Sequence, residues 1–319
     1  MIFSSKATPR WQQAVAGLVC MASLLVLASC GGSTSQYEAF KPGRVLAFGD
    51  DASVLTPSGQ RYGVNGLNAN TNQVDCTLFP LWIQAVASTY GFSFAQCNPT
   101  GAFDPQARTY ATVGAKVADV AAQVEAQVAA GGFRDNDLAL VLAGTNDVLE
   151  LYAQYPLRPE ASLLDDARER GRRMAQVVNR LVDLGAKVIV SNLPDMGLSP
   201  FAATEAKANP DTDRAAMISR ISAAFNEQLG ANVLLDGRFV GLMQTDLRIQ
   251  AAHRSPGSFG LSNATDAACT VALPNCTTAT LVTGATADQY LWADATRLAP
   301  GGHNLLASLA VDRAQRNPF

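Results

Sequence analysis

The sequence predicts an α/β fold built on a mainly parallel β-sheet. Short apolar segments alternate along the chain with longer segments in which apolar residues recur every three or four positions. The short segments are typical of buried parallel strands, and the longer ones of amphipathic helices. Strands that alternate with helices of this length form βαβ units, so we expect a sheet that is covered by helices on both faces.

Four segments are predicted to be strands of this sheet. The first ends at a Gly-Asp turn, the next two share its apolar character, and the last is shorter and weaker. These strands cover residues 44–48, 137–143, 187–191 and 232–235. In parallel sheets, ligands bind beyond the carboxyl ends of the strands. Asp51 and Asn146, which follow the first two strands, therefore fall on the expected functional edge.

Helices are predicted between these strands, with three long loops among them. The second helix stops at Gly185, which suits a helix C-terminus, and its mixed-sign run from Arg168 to Arg173 predicts a solvated face. Loops as long as these three are uncommon unless they shape or cover a site. The helices cover residues 116–130, 162–184, 212–229 and 300–313, and the loops cover 56–75, 194–211 and 252–288.

The first 29 residues have the pattern of a signal peptide. Lys6 and Arg10 precede an apolar run over 14–28, which is too short for a comfortable membrane span. The run ends Leu-Ala-Ser-Cys-Gly, similar to a bacterial lipobox, so we expect cleavage before a lipidated Cys30. Gly31 after this cysteine favours retention at the outer membrane. The alternative is an ordinary secretory signal with an incidental cysteine.

The predicted organisation is a signal peptide over 1–29, a lipidated tether over 30–40 and one domain over 41–319. Loss of the signal peptide, with its two cations and no acid, changes the formal net charge from −3 to −5. A mildly acidic chain argues against nucleic acid as a partner, since that partner requires a basic surface. Membrane attachment is therefore expected through the lipid on Cys30, without a basic cluster beside it.

Four cysteines remain beyond the anchor, and their even number in an exported chain predicts two disulfides. Of the three possible connectivities, the short spacings favour Cys76–Cys97 and Cys269–Cys276. A metal site is the alternative. The chain has two histidines, His253 and His303, and no C-x-x-C spacing among these cysteines, so we expect neither a metal nor another cofactor.

Four segments, in order along the chain, resemble the GDSL or SGNH family of serine esterases and lipases. They are FGDDAS at 48–53, TVGA at 112–115, GTND at 144–147 and the stretch 294–303, accompanied by NLPD at 192–195 and YLWAD at 290–294. The resemblance covers nearly the whole chain after residue 29. It implies a flavodoxin-like three-layer α/β/α sandwich, with carboxylic-ester hydrolysis as the usual activity.

The resemblance also implies roles for five residues. Gly114 and Asn146 match the family's oxyanion-hole positions, and Asp294 matches the acid that orients the catalytic histidine. However, Asp51 occupies the position of the nucleophilic serine, and Arg297 that of the general-base histidine. A carboxylate cannot act as an activated hydroxyl, and a guanidinium stays protonated. The sequence therefore predicts a member that has lost its hydrolytic triad.

Ser53 and His303 are the candidates for a rebuilt triad. Ser53 matches a second serine of the motif that is usually structural, and His303 matches a second, non-catalytic histidine near the start of the last helix. The prediction is therefore that His303 packs or caps that helix. A rearranged site in which Ser53 works with His303 remains the alternative.

Asp51 and Arg297 carry complementary charges at positions that would touch at about 3 Å in an active member. We therefore predict an ion-pair network of Asp51, Arg297 and Asp294 that closes the former triad pocket. A charge that is buried in a paired set is tolerated, whereas a lone buried charge is costly. The alternative is that Arg297 points to solvent and the two substitutions are independent.

The leading functional hypothesis is a lipid-anchored envelope protein of this family that no longer hydrolyses esters. Its cleft would be kept for structure or for binding an acylated or glycan ligand, and Arg297 suits a carboxylate or sulfate. The second hypothesis is an active esterase or lipase that uses an unconventional nucleophile. The third is a scaffold lipoprotein whose protein partner, unidentified from the sequence, binds the insertion over 252–288.

Overall fold

A computed structural model of the chain describes residues 40–319. The predictions on residues 1–29 and on Cys30 lie outside this range. Within it, a five-stranded parallel sheet has the strand order β2-β1-β3-β4-β5. Its strands are β1 (Arg44–Gly49), β2 (Ala107–Thr109), β3 (Asp137–Leu142), β4 (Lys187–Ser191) and β5 (Val240–Met243). A separate parallel pair joins β6 (Asn263–Ala267) to β7 (Tyr290–Trp292).

Eight α-helices accompany the strands in the described part of the chain. They are α1 (Trp82–Thr89), α2 (Val117–Ala129), α3 (Thr145–Tyr152), α4 (Glu160–Asp183), α5 (Pro200–Ala208), α6 (Arg214–Asn232), α7 (Thr245–Arg254) and α8 (Pro300–Arg316). Helix α1 packs against α8, while α4 packs against both α2 and α6. The α/β fold with a mainly parallel sheet is therefore confirmed. None of these helices is both long enough and apolar enough to cross a bilayer.

The central strands form the core because nearly every side chain on them is apolar. All six residues of β3 are buried, as are Val45 to Gly49 of β1. Trp82, Phe48 and Leu140 are among the largest side chains with no exposed surface. A strand that is covered on both faces requires this continuous apolar pattern, and the same pattern identified the strands in the sequence.

Three of the four predicted strands and all four predicted helices are present, with small shifts at their ends. The predicted strand over 232–235 is wrong. Helix α6 continues to Asn232, and the apolar residues after it, Leu234 and Leu235, are 42% and 66% exposed. The backbone N–H of Leu234 donates to the side chain of Asn179 rather than to a strand. The fifth strand begins later, at Val240.

Two of the predicted loops also contain regular structure. The segment over 194–211 includes α5, which begins with Pro200 after a Ser199 side chain that accepts from the N–H of Ala202. The segment over 252–288 includes the end of α7 and the strand β6. His253 therefore lies in a helix rather than in a loop, and its Nδ1 is 3.3 Å from the carbonyl oxygen of Ala264.

Both predicted disulfides are present. Cys76–Cys97 joins the loop before α1 to the segment before β2, and Cys269–Cys276 closes a short loop after β6. The buried guanidinium of Arg61 further fixes the first of these regions, since it donates to the carbonyl oxygens of Cys76 and Leu78 at 2.8 and 2.6 Å. These contacts hold the long segment over 56–75 against the loop that precedes α1.

Candidate functional site

The carboxyl ends of β1 and β3 bring Asp51 and Asn146 together, as the sequence predicted. Asp51 begins a short 3-10 turn two residues after β1, and the side chain of Asp50 caps that turn by accepting from the N–H of Ala52. Asn146 lies in the first turn of α3, directly after β3. Gly114 lies between β2 and α2 with a φ of 74°, a conformation that glycine adopts without strain. Its backbone N–H thereby points towards Asp51.

The carboxylate of Asp51 accepts hydrogen bonds from three groups of this site. Asp51 Oδ2 accepts from the backbone N–H of Gly114 at 2.9 Å and from the Asn146 side-chain amide at 3.0 Å. Its Oδ1 accepts from Arg297 Nε at 2.7 Å. The side chain of Asp51 is only 8% exposed. A buried carboxylate with three donors is stable as an anion, because each donor stabilises the charged form.

Arg297 is held from its other side by Asp294. Arg297 Nη1 donates to Asp294 Oδ2 at 2.8 Å, while Asp294 Oδ1 accepts the backbone N–H groups of Thr296 and Arg297 at 2.9 and 2.7 Å. The guanidinium also lies 5.7 Å from the ring centre of Tyr62. The predicted Asp51–Arg297–Asp294 ion-pair network is therefore present, and Arg297 does not point freely to solvent.

The electrostatics of the site keep both partners of the central pair charged. Burial alone would raise the pKa of Asp51, but the Asn146 amide, the charge of Arg297 and the Gly114 N–H together hold it below its ordinary value. Burial opposes the charge of Arg297 as well, yet Asp51 and Asp294 raise the pKa of its guanidinium. Arg297 therefore cannot release a proton at any ordinary pH.

Asp50, beside Asp51, keeps its proton at neutral pH, whereas Asp51 is ionised. Burial is the main cause that raises the pKa of Asp50 to about 8, and the negative charge of Asp51 adds to it. Its Oδ2 is buried without a hydrogen-bond partner in the described residues. Two adjacent carboxyl groups are thus in different states at neutral pH, one neutral and one ionised, because only Asp51 faces the converging donors.

The structure does not bring Ser53 and His303 into contact. Ser53 is fully buried, and its hydroxyl oxygen accepts from Trp82 Nε1 at 3.1 Å. Both ring nitrogens of His303 are buried without a partner in the described residues. Burial, with a smaller effect of the charge of Arg61, lowers the pKa of His303 to about 3. His303 is therefore a neutral packing residue at the start of α8.

Asp147 organises the neighbouring elements, a role that the sequence did not indicate. Its Oδ2 accepts from the N–H of Val117 at the start of α2 at 3.0 Å, and Arg170 Nη1 donates to its Oδ1 at 3.2 Å. Arg170 also pairs with Glu150 at 2.6 Å. The prediction of a solvated face over 168–173 is therefore wrong for Arg170, whose side chain is 22% exposed and bridges α4 to α3.

Little space remains in the cleft beside the ion pair. Its volume is about 30 Å³, and its walls include Tyr62, Trp292 and Arg297. A volume of this size holds on the order of one water molecule. No group of three or more His, Cys, Asp or Glu side chains suited to a metal ion occurs within residues 40–319.

In this α/β protein, Asp51 lies after β1, and the two donors that converge on it, from Gly114 and Asn146, lie after β2 and β3. The family model for GDSL-like lipases and acylhydrolases matches residues 45–309. The chain therefore belongs to this family, as the four motifs predicted. None of the curated proteins matches the sequence.

Several solved structures of related type resemble the chain. The lipase Lip_vut3 from a goat rumen metagenome has 11% identity and a TM-score of 0.48, over 86% of this chain and 99% of that one. A member of the lipolytic G-D-S-L family from Veillonella parvula has 11% identity and a TM-score of 0.44, over 84% and 96%. The acetylxylan esterase Axe2 from Geobacillus stearothermophilus has 17% identity and a TM-score of 0.41, over 86% and 95%.

Proposed function

We propose that this chain is a non-hydrolytic member of the GDSL family, in which Asp51 and Arg297 replace the nucleophile and the general base. One observation carries the proposal: the Asp51 carboxylate itself accepts the hydrogen bonds of Gly114 and Asn146. In ester hydrolysis, donors of this kind stabilise the negative oxygen that develops on the substrate. Here they are engaged by a permanent negative charge of the chain.

Acyl transfer of the usual type needs a hydroxyl and a base within hydrogen-bond reach of each other. Asp51 supplies no hydroxyl, and the paired guanidinium of Arg297 accepts no proton. Ser53 does not replace Asp51, because its hydroxyl is buried against Trp82. With about 30 Å³ of free volume beside the pair, an ester group cannot enter unless the network opens.

The network supports a structural role for the former active site. Asp51 follows β1, Gly114 precedes α2, Asn146 begins α3 and Arg297 precedes α8, so one set of contacts joins four distant parts of the chain. A carboxylate-bearing, acylated or glycan ligand would have to displace Asp51 from Arg297. We therefore assign the cleft to holding the fold rather than to binding.

The proposal is tested by restoring the two groups that hydrolysis requires. The purified protein, Asp51→Ser and the double variant Asp51→Ser with Arg297→His are compared in hydrolysis of short p-nitrophenyl esters. We expect no turnover above buffer for the parent. The double variant should exceed Asp51→Ser by roughly 10²-fold, the usual contribution of a general base. Only the double variant should react readily with a fluorophosphonate.

Ser53→Ala provides the matched control. It should leave the ester hydrolysis of the double variant unchanged if Ser53 is structural. Turnover by the parent that Asp51→Ala abolishes would show that Asp51 is catalytic and would overturn the proposal. Turnover by the parent that Ser53→Ala abolishes would instead support the alternative in which Ser53 is the nucleophile.

We further propose that the protein is a lipoprotein of the bacterial outer membrane, anchored through Cys30. Support comes from the sequence Leu27-Ala28-Ser29-Cys30-Gly31 at the end of the apolar run. Metabolic labelling with an alkyne-modified fatty acid should mark the parent but not Cys30→Ser, and the parent should sediment with outer-membrane fractions. Equal labelling of both proteins would exclude Cys30 as the anchor.

A further inference from the structure

A second pocket lies at the amino-terminal end of the sheet, away from the cleft. It has a volume of about 250 Å³. Arg44 and Leu46 of β1 form its floor together with Arg108 of β2, which is aligned with Leu46 across the parallel pair. The pocket opens at this place because β2 is an edge strand of only three residues. Its remaining walls come from α2, from the segment between α2 and β3 that contains Arg134, and from the segments that flank β2.

The pocket carries positive charge that the described chain does not neutralise. Arg108 and Arg134 both line it, and neither guanidinium forms an ion pair in the described residues, although the backbone N–H of Arg134 donates to Asp137 Oδ2 at 2.8 Å. Arg44 is paired with the buried carboxylate of Asp137 through Nε at 2.8 Å and through Nη2. The exposed carboxylate of Asp104 is the one acid in the lining, and it accepts from Gln106 Nε2 at 2.9 Å.

The wall beneath these cations is fixed before any ligand binds. Tyr110 donates from its hydroxyl to Gln127 Oε1, and Gln127 Nε2 donates to the carbonyl oxygen of Gly132 at 2.7 Å. Arg44 Nη2 donates to the same carbonyl at 3.0 Å. The ring of Tyr110 also stacks on Phe48, with 5.3 Å between ring centres. A wall that is already ordered lowers the entropic cost of binding.

We propose that this pocket binds a phosphate group, either inorganic phosphate or a small phosphate monoester. Guanidinium groups recognise phosphate through paired, charge-assisted hydrogen bonds. Two arginines without acidic partners supply these donors, and the paired Arg44 adds polar surface at the base of the pocket. The available volume suits a single phosphate group with a short substituent, and the small apolar share of the lining does not suit a bare hydrocarbon chain.

Isothermal titration of the purified protein at constant ionic strength tests the proposal. Inorganic phosphate, glycerol 3-phosphate and acetate are titrated separately. We expect a dissociation constant on the order of 1 mM for at least one phosphate compound, as two or three charge-assisted hydrogen bonds would give. Arg108→Gln and Arg134→Gln should each weaken this binding by roughly tenfold or more.

Arg254→Gln is the matched control, because Arg254 is also exposed and has no acidic partner in the described residues. It should bind phosphate as the parent does. Equal weakening by all three variants would mean a general charge effect and would overturn the proposal. Absence of phosphate binding, or acetate binding of equal strength, would overturn it as well. The two phosphate compounds distinguish a free anion from an ester as the preferred ligand.

Discussion

A single carboxylate determines the electrostatics of the cleft at the carboxyl end of the sheet. Asp51 is almost fully buried, which is costly for an isolated charge, yet it accepts hydrogen bonds from Gly114, Asn146 and Arg297. Arg297 in turn retains Asp294 on its other side. The charges therefore stabilise each other as a set, and removal of one member leaves the others with unmet hydrogen bonds.

Asp51→Ala should destabilise the protein by about 2 kcal/mol. The loss is expected to be smaller than the 3–5 kcal/mol typical of a broken buried pair, because Arg297 keeps Asp294 and is 29% exposed. The free energy of unfolding from urea titrations at pH 7 measures this change. Asp236→Ala is the control, since its pair with Arg238 lies at the surface and should contribute little to stability. Equal losses in the two variants would contradict a buried network.

For single residues, the sequence predicts which charged side chains pair better than it predicts their other contacts. The pairing of Asp51 with Arg297 follows from two opposite charges at positions that the family motifs bring together. The engagement of Gly114 and Asn146 by the same carboxylate depends on the orientation of one side chain, which no pattern encodes. The contact of Arg170 with Asp147 depends on how α4 crosses α3, so a mixed-sign run alone indicated a solvated face.

Among the larger elements, the packing of α4 against α6 depends on a glycine. A Cβ atom on Gly171 of α4 would lie 2.1 Å from the carbonyl oxygen of Phe225 in α6, well inside the van der Waals distance. Gly230, also within a helix, has open space where its Cβ would be. Alanine at Gly171 would therefore test a packing requirement, whereas alanine at Gly230 would test only the general effect of glycine on helix stability.

Gly171→Ala should therefore destabilise the protein by about 1–3 kcal/mol, because the two helices must move apart. Gly230→Ala should instead stabilise it by about 0.5–1 kcal/mol through higher helix propensity. Thermal and urea unfolding of the two variants beside the parent check both signs. A stabilising Gly171→Ala would mean that α4 and α6 are not in close contact at this point.

Element prediction from the sequence succeeds where the pattern is long and regular. The helix over 162–184 and the strand over 137–143 are of this kind, and both are present as α4 and β3. The apolar residues over 232–235 resemble a strand, but they follow α6 directly, and tertiary contacts such as the bond from Leu234 to Asn179 decide their conformation. β2 has only three residues, too few for any periodic signal.

For the whole molecule, the two ends of the sheet carry different chemistry. The carboxyl end holds the closed ion-pair network around Asp51, while the amino end holds an open pocket with Arg108 and Arg134. Parallel strands create both ends, since all carboxyl termini meet at one edge. The two ends are therefore separate surfaces, and a ligand at the amino end would not need the network around Asp51 to open.

Two buried groups should give the stability of the whole molecule an unusual pH dependence. Asp50, with a folded-state pKa raised to about 8 by burial and by Asp51, keeps a proton that the unfolded chain loses above about pH 4. Stability therefore falls as the pH rises between these values. His303, with a pKa lowered to about 3 by burial and by Arg61, stays neutral where the unfolded chain binds a proton below about pH 6.5. Stability therefore falls as the pH decreases through that lower range.

Between about pH 4 and 6.5, Asp50 and His303 change the free energy of unfolding in opposite directions. Of these two residues, only Asp50 still changes it above pH 6.5. We expect the free energy of unfolding to decline from pH 6.5 to 8, by up to about 1.4 kcal/mol per pH unit. Asp50→Asn should remove this decline, whereas His303→Gln should extend it down towards pH 4, because the opposing effect of the histidine is lost. Urea unfolding at pH 4.5, 6.5 and 8 distinguishes the three proteins. A decline above pH 6.5 that persists in Asp50→Asn would show that Asp50 is already ionised in the folded protein.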